Sequence, residues 1–215
     1  MSSITPFIQP LLKGAAVTLH VMILSIIVAF LLSFLFGFMK LSKWKILRMI
    51  SSIYIEVFRG TSLLIQLFWL YFALPMLGVQ LSAMTAGVLA IGLNYGAYGA
   101  EVVRSSIQAV PKGQTEAAIA LNMTTFQKMR IVILPQALLL MTPTFGNLTI
   151  ELLKGTALVS LVTLSDLTFQ AMLLRTATMK TAEIFGLLLI FYFLIAYPVS
   201  LGFRWLERKL SVGRV

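Results

Sequence analysis

Three acid–base pairs recur in this chain at i, i+3 spacing: Glu56 with Arg59, Glu101 with Arg104, and Glu151 with Lys154. On a helix that spacing puts both partners on one face. Each pair lies in or beside an apolar run, where an ionisable side chain marks either an anchor or a pathway. Glu56/Arg59 and Glu101/Arg104 fall near the ends of their runs. Long basic side chains snorkel there, so both pairs are expected to be structural ion pairs that fix helix ends. Glu151/Lys154 differs. Counted from Gln136, Glu151 lies ~23 Å along a helix at about 1.5 Å per residue, past the middle of a hydrocarbon core roughly 30 Å thick. A pair at that depth faces a subunit interior or a watery cavity, or else the two charges neutralise each other on their own helix. Other chemistries lack their residues. The chain has no Cys and one His, His20, which excludes thiolate sites and argues against a transition-metal centre. Nothing resembles a phosphate-cradling Gly-rich loop with Lys and Ser/Thr, and no Ser or Thr has a suitably placed His or Asp to make it a nucleophile.

The elements that must position these pairs are membrane spans. Of 215 residues, 59% are hydrophobic and 11% charged, with a mean hydropathy of +0.96. Soluble domains carry roughly 45–50% apolar and about 25% charged residues. A helix needs about 20 apolar residues to cross the core. Gly14 to Met39 carries no charge and makes the first span. Its run is too long for a secretory leader and no small-residue cleavage site closes it, so it is expected to be retained, with His20 as a buried, hydrogen-bonding residue. Gly60 to Ala100 is also free of charge and long enough for two passes, broken by the Pro and Gly of Pro75 to Ser82. Two further runs follow, the fourth with Pro135 as a helix-start signal and Pro143 as a kink. The expectation is an all-α integral membrane protein, a single transmembrane domain over 1–215, with five spans at about 14–39, 50–74, 83–104, 136–154 and 184–206.

The net charge of +10 is that of loops rather than of a nucleic-acid-binding surface. Four basic residues fall between the first two spans (Lys40, Lys43, Lys45, Arg48), four between the third and fourth (Arg104, Lys112, Lys128, Arg130) and four at the C-terminus (Arg204, Arg208, Lys209, Arg214). Only Lys13, Arg175 and Lys180 fall on the other side. The excess of Lys and Arg places the N-terminus outside and the C-terminus in the cytoplasm, which an odd number of spans requires.

The longest cytoplasmic connection, 111–135, accommodates two short helices. The first covers Gln114 to Leu121, with Glu116, Ala117 and Ala118 in its opening turn, where an acidic group complements the macrodipole. Asn122 closes it in the left-handed conformation common at helix C-termini. The second begins at Thr124, with Gln127 completing a capping box. Gly87, Gly92, Gly96 and Gly99 in the third span serve close helix packing.

This loop resembles the EAA loop of ABC-importer permease subunits, whose pattern runs Glu-Ala-Ala, three residues, Gly, nine residues, Ile, one residue, Leu-Pro. Glu116-Ala117-Ala118 and Leu134-Pro135 match at that spacing; Val132 stands for Ile, and Asn122 for Gly. The resemblance covers most of the chain. Glu56-Val-Phe-Arg59-Gly60-Thr61-Ser62-Leu63-Leu64 is similar to the second-span signature of the polar-amino-acid branch, with Ser62 where Pro is usual. Tyr98-Gly-Ala-Glu101-Val-Val-Arg104, Val110-Pro-Lys-Gly-Gln114 and Lys154-Gly155-Thr156-Ala157-Leu158 are similar to three further elements, the last with Gly and Ala replacing Asp and Ser.

The resemblance implies a type I ABC importer permease in a bacterial cytoplasmic (inner) membrane, one half of a dimer with an identical or related second permease. It implies a cytosolic ATPase dimer that binds ATP and Mg, this chain itself carrying no cofactor. Glu116, Ala117, Ala118, Asn122, Leu134 and Pro135 would couple the two. It also implies an extracytoplasmic solute-binding protein, and polar amino acids or related small zwitterions as cargo. Glu151 would then accept the ammonium and Lys154 meet the carboxylate, with Thr156 adding a hydroxyl. The rival reading, a secondary transporter or channel, has no use for the Glu116-Ala-Ala knob and should show an inverted internal repeat; none is visible.

Overall fold

The computed structural model describes residues 5–211; Arg214, counted above among the C-terminal basic residues, lies outside them. Nine α-helices are present in that stretch: α1 Thr5–Leu41, α2 Lys45–Gly60, α3 Leu63–Phe68, α4 Ala83–Ala109, α5 Lys112–Ala120, α6 Thr125–Gln127, α7 Leu134–Gly155, α8 Leu167–Thr178 and α9 Thr181–Ser211. Short π- and 3-10 stretches continue several of them: 69–77 follows α3, 128–133 joins α6 to α7, and 156–162 extends α7.

α4 is the hub. It packs along α1 and against α2, α3 and α7, and between Ala86 and Ala100 only Tyr98 is exposed. Its glycines permit the fit, as expected: a Cβ on Gly92 would sit 2.6 Å from Val28 of α1. Without a hydrophobic drive between helices in lipid, such close approach and interhelical hydrogen bonds hold the bundle. Ser33 donates to Ala29 O at 2.6 Å and to Gly96 O at 3.3 Å, Tyr54 to Leu93 O at 2.7 Å and Ser51 to Phe36 O at 2.7 Å.

Among the described residues, three helices are long and apolar enough to cross a membrane, or four if α2 and α3 with its continuation count as one bent span. α4 is diluted by Asn94, its tyrosines and four glycines, and it is shielded by its neighbours. The segment expected as one pass over 50–74 is two pieces meeting at 103°. Thr61 and Ser62 are extended there, and the carbonyls freed by the break need partners. Phe58 O accepts from Gln66 Nε2 at 3.0 Å and Asn94 Nδ2 at 2.8 Å, and Thr61 Oγ1 donates to Val57 O at 2.7 Å. Asn94, 5% exposed, therefore holds a helix break inside the bundle.

Pro135 stands in the first turn of α7, as a helix-start proline does, but no break in the helix precedes it. The chain is already helical from Thr125, and the run continues to Val162. The second of the two expected short helices is thus the head of the fourth span. The π-turns of 128–133 precede the proline, and the Gln136 side chain donates to Val132 O at 2.9 Å, meeting a carbonyl in the turn that proline leaves short of donors. Pro143 lies inside α7 without ending it. His20, expected to be buried, is exposed.

α1, at 37 residues, spans about 55 Å, far longer than the core. Its N-terminal turns leave the main bundle and form a second small core with α8 and the start of α9: Phe7, Leu11, Ala15, Leu167, Ala171 and Ile184. The end of the bundle bearing α8 is opposite the end bearing α5.

Candidate functional site

The exposed face of α7 carries Thr144, Asn147, Glu151 and Lys154. Steps of three and four residues place them in one stripe. A polar stripe on a spanning helix is unfavourable against lipid and belongs to an aqueous cavity or a partner surface. Tyr95 of α4 ties α7 in place at this level: its hydroxyl donates to Glu151 O at 2.8 Å. A Cβ on Gly155 would lie 3.1 Å from the same hydroxyl and 3.3 Å from Leu63, so the start of α3 closes on this point too. Tyr98, 6.3 Å from the Tyr95 ring, opens outward, and the Arg59 guanidinium sits 5.1 Å above its centre. The geometry is that of a cation–π contact.

These positions change the expected roles. Glu151 and Lys154 are both exposed and form no ion pair with each other. Each charge is therefore presented separately. Thr156 does not join them: it is fully buried, and its hydroxyl donates to Leu153 O at 2.6 Å. Glu56 and Arg59 do not form the expected pair either, because Arg59 lies on Tyr98 and Glu56 is exposed. Only Glu101/Arg104 meets as expected, with Lys40 of α1 3.8 Å from the same carboxylate and Gln108 hydrogen-bonded to Arg104. This cluster locks the α5-end termini of α1 and α4 together. Sequence reading missed Thr144, Asn147 and the two tyrosines. The signal was present as polar residues spaced by three and four along an apolar run, extending upstream of Glu151.

A half-open apolar cavity of about 250 Å³ lies between α1, α7 and α9, beside Phe30, Phe34 and Phe145. It offers a charged solute nothing. Ser33, Thr142 and Thr149 border it, but each hydroxyl donates to a carbonyl one turn back on its own helix.

At the other end of the fourth span, α5 projects from the bundle. Ala118 is its only buried residue; Glu116 and Ala117 are exposed. Asn122 closes the helix at φ 57°. The amide of Asn122 donates to Ile119 O at 2.9 Å and that of Met123 to Ala118 O at 3.0 Å, the paired bonds of a Schellman stop. Thr124 and Gln127 then cap the next helix reciprocally, the Gln127 amide to Thr124 Oγ1 at 3.3 Å and the Thr124 amide to Gln127 Oε1 at 2.9 Å. The observed helix runs Lys112–Ala120 rather than from Gln114 to Leu121. Ile119, Leu121 and Phe126 are 60%, 72% and 70% exposed. Leu134 and Pro135, half-buried, link this knob rigidly to α7.

A helical bundle with a polar, outward-facing stripe on a long apolar helix and a capped, exposed knob at one end suits a transport component. The chain belongs to the family of binding-protein-dependent transport system inner membrane components, whose model matches residues 29–212. It is 47% identical over 214 residues to the probable amino-acid ABC transporter permease protein y4tF of Sinorhizobium fredii, covering 97% of this chain and 90% of that one. It is 34% identical to the glutamine transport system permease protein GlnP of Escherichia coli, covering 98% and 97%. To the arginine transport system permease protein ArtQ of Bacillus subtilis it is 36% identical, covering 98% and 96%. The fold matches the solved structure of an amino acid ABC transporter with histidines at a TM-score of 0.90, with 37% identity and 96% of each chain covered.

Proposed function

We propose that this chain is the permease subunit of an ATP-driven importer that moves polar amino acids or related small zwitterions, through a site on the exposed face of α7. The observation that carries the reading is the stripe Thr144–Asn147–Glu151–Lys154, unpaired and exposed where the flanking residues are apolar. An amino acid entering at that depth loses water from an ammonium and a carboxylate, a cost of several kcal/mol per ion unless opposite charges replace the water. Glu151 accepts the ammonium; Lys154 meets the carboxylate, and Arg59, held over Tyr98, presents a second cation nearby. A second permease, identical or related, closes the other side of the cavity. The names of the relatives support amino acids as the cargo class.

In this reading the α5 end is cytoplasmic, the N-terminus is outside, and α4 completes a set of five spans with α1, the bent α2–α3 pair, α7 and α9. The knob around Glu116, Ala117 and Ala118 sits in a cleft of a separate ATPase, which binds ATP and Mg, and Ile119, Leu121 and Phe126 supply the apolar contact. A binding protein delivers the solute at the α8 end.

The test is a charge swap, Glu151→Lys with Lys154→Glu, in the reconstituted complex with ATPase and binding protein. Substrate-stimulated ATP hydrolysis should fall at least tenfold while the complex still assembles. Retained stimulation with the same substrate preference removes Glu151 and Lys154 from the pathway.

A further inference from the structure

Between α7 and α9, toward the α5 end, lies a groove of about 580 Å³ lined by Leu139, Leu140, Pro143, Arg204, Glu207 and Arg208. Its size falls within the roughly 300–1,000 Å³ of small-molecule sites. The two helices are packed tightly beside it, a Cβ on Gly146 meeting Phe203 at 3.1 Å, so the groove is a fixed feature of the pair. Arg204 and Arg208 stand one turn apart on one face of α9, with Glu207 three residues from Arg204. Arg204 and Glu207 share the groove without an ion pair between them. Arg204, Glu207 and Arg208 border a shallow, partly apolar bed.

The groove also has a direction. Leu140 and Pro143 lie on the same exposed face of α7 as Thr144, Asn147, Glu151 and Lys154, in the continuing three-and-four register. The groove therefore opens onto the polar stripe's side of the helix and is its next station toward α5. A further groove beyond it shares Leu139 and Leu140 and is lined by Ala109, Val110 and Pro111, the foot of α5. A lipid headgroup would suit the arginines alone, but the polar stripe above argues that this face addresses water, and Glu207 repels an anion.

We propose that Arg204, Glu207 and Arg208 form a second, weak zwitterion site at the cytoplasmic mouth of the route, which holds the amino acid after it leaves the Glu151/Lys154 level. The carboxylate lies between the two guanidiniums and the ammonium against Glu207. This inference rests on the reading of the preceding subsection. Exposed ion pairs are individually weak, so the site releases its ligand readily and fills only when product accumulates. Contact with the foot of α5 through Leu139 and Leu140 lets an occupied mouth slow the next ATP-driven turn.

The experiment uses the full complex in vesicles of zwitterionic lipid with the ATPase facing the bath and loaded binding protein in the lumen. L-Glutamine is the bath probe, with L-arginine in parallel. Each variant's hydrolysis rate is normalised to its own rate without bath amino acid. Bath amino acid should slow the unmodified complex about threefold at a concentration on the order of 10 mM, as weak exposed charge contacts require. Arg204→Gln with Arg208→Gln should abolish the slowing, Glu207→Gln should reduce it, and Arg204→Lys should keep it. Equal slowing in all variants overturns the proposal, as does slowing that follows the anionic-lipid content of the vesicles rather than the amino acid. If luminal substrate fails to stimulate hydrolysis at all, it is the α7 site reading that has failed. The single variants Arg204→Gln and Glu207→Gln give the same comparison if the double substitution does not assemble.

Discussion

Two short helices at opposite ends of the bundle, α8 and α5, show what a finished contact looks like beside an unfinished one. α8 is docked. Its N-cap Asp166 accepts from the amides of Thr168 at 3.2 Å and Phe169 at 2.9 Å. Leu167 N donates to Thr18 Oγ1 of α1 at 3.1 Å, and Thr168 meets the Tyr192 hydroxyl of α9 at 2.9 Å. Leu167 and Ala171 are fully buried. α5 is equally well built, with a Schellman stop behind it and a capping box after it, yet it buries only Ala118. Its apolar side chains face outward. The first helix buries its hydrophobic surface within the chain; the second leaves Ile119 and the adjoining Leu121 exposed. That contrast supports the proposed docking of an ATPase at the α5 end.

The comparison can be broken most forcefully at α5. Ala118→Trp places a large ring where 2% of the alanine is exposed, and Glu116→Lys reverses the charge in the opening turns. Both should cut substrate-stimulated ATP hydrolysis at least tenfold while membrane insertion, followed by protease accessibility, is unchanged. Normal stimulation in both variants would remove α5 as the coupling element.

Glycines at the two ends should respond oppositely. A Cβ on Gly14 lies 2.8 Å from the backbone of Asp166 and Leu167, whereas one on Gly113 meets nothing within 4 Å. Gly14→Ala should therefore destabilise the detergent-solubilised protein by about 1–3 kcal/mol through overpacking. Gly113→Ala, inside α5, should be neutral or stabilising by roughly 0.5–1 kcal/mol. Thermal unfolding of the two variants measures the difference, and equal effects would deny that α8 is docked and α5 is not.

Asn122 is held at φ 57°, a conformation that costs most L-residues roughly 1–2 kcal/mol. Asn122→Gly should be tolerated and Asn122→Val should fray α5, read by amide exchange at Ile119 and Ala120. Equal exchange in both variants would mean that the stop does not depend on this backbone.

The smallest effect belongs to Asp166, in the connection before α8. Burial pushes its carboxyl up to about 6, against the opposing amides of Phe169 and Thr168. A raised carboxyl favours the protonated folded state. Its contribution to stability is complete below the ordinary carboxylate value and is lost as pH rises through about 6. The two amides bond different oxygens of the carboxylate, so Asp166→Asn keeps an acceptor for one of them. It should flatten the stability profile across the window from about the ordinary carboxylate value to the raised one at about 6. Asp166→Ala removes the cap and should cost about 1 kcal/mol at every pH in that window. An unchanged pH profile in Asp166→Asn would mean that this carboxyl does not titrate there.

The local devices of α5 were legible in the sequence because they depend on neighbours in the chain. Thr124 with Gln127 and the left-handed Asn122 appear as expected. What was not legible depends on distant contacts. Spacing alone pairs Glu56 with Arg59, but Tyr98, on another helix, gives the guanidinium an alternative. The break at Thr61 and Ser62 carries no proline, and it is stable because Asn94 and Gln66 meet the freed carbonyls. Thr156 lies two residues from Lys154, yet helix rotation turns it inward to Leu153. The helix α8 lies between the fourth and fifth expected spans, where no element is expected; its docking depends on a close approach to Gly14, which periodicity does not reveal. Glu151 and Lys154 share a face as expected, but their exposure, and the company of Thr144 and Asn147, emerge only when α4 and α9 cover the rest of α7.

Amide hydrogen exchange on the permease, with and without its ATPase, tests the contrast between the two ends directly. The account predicts slowed exchange over 112–127 on adding the ATPase, with the amides of 163–178 already protected and unchanged. Unchanged exchange over 112–127, or new protection appearing around α8 instead, would contradict it.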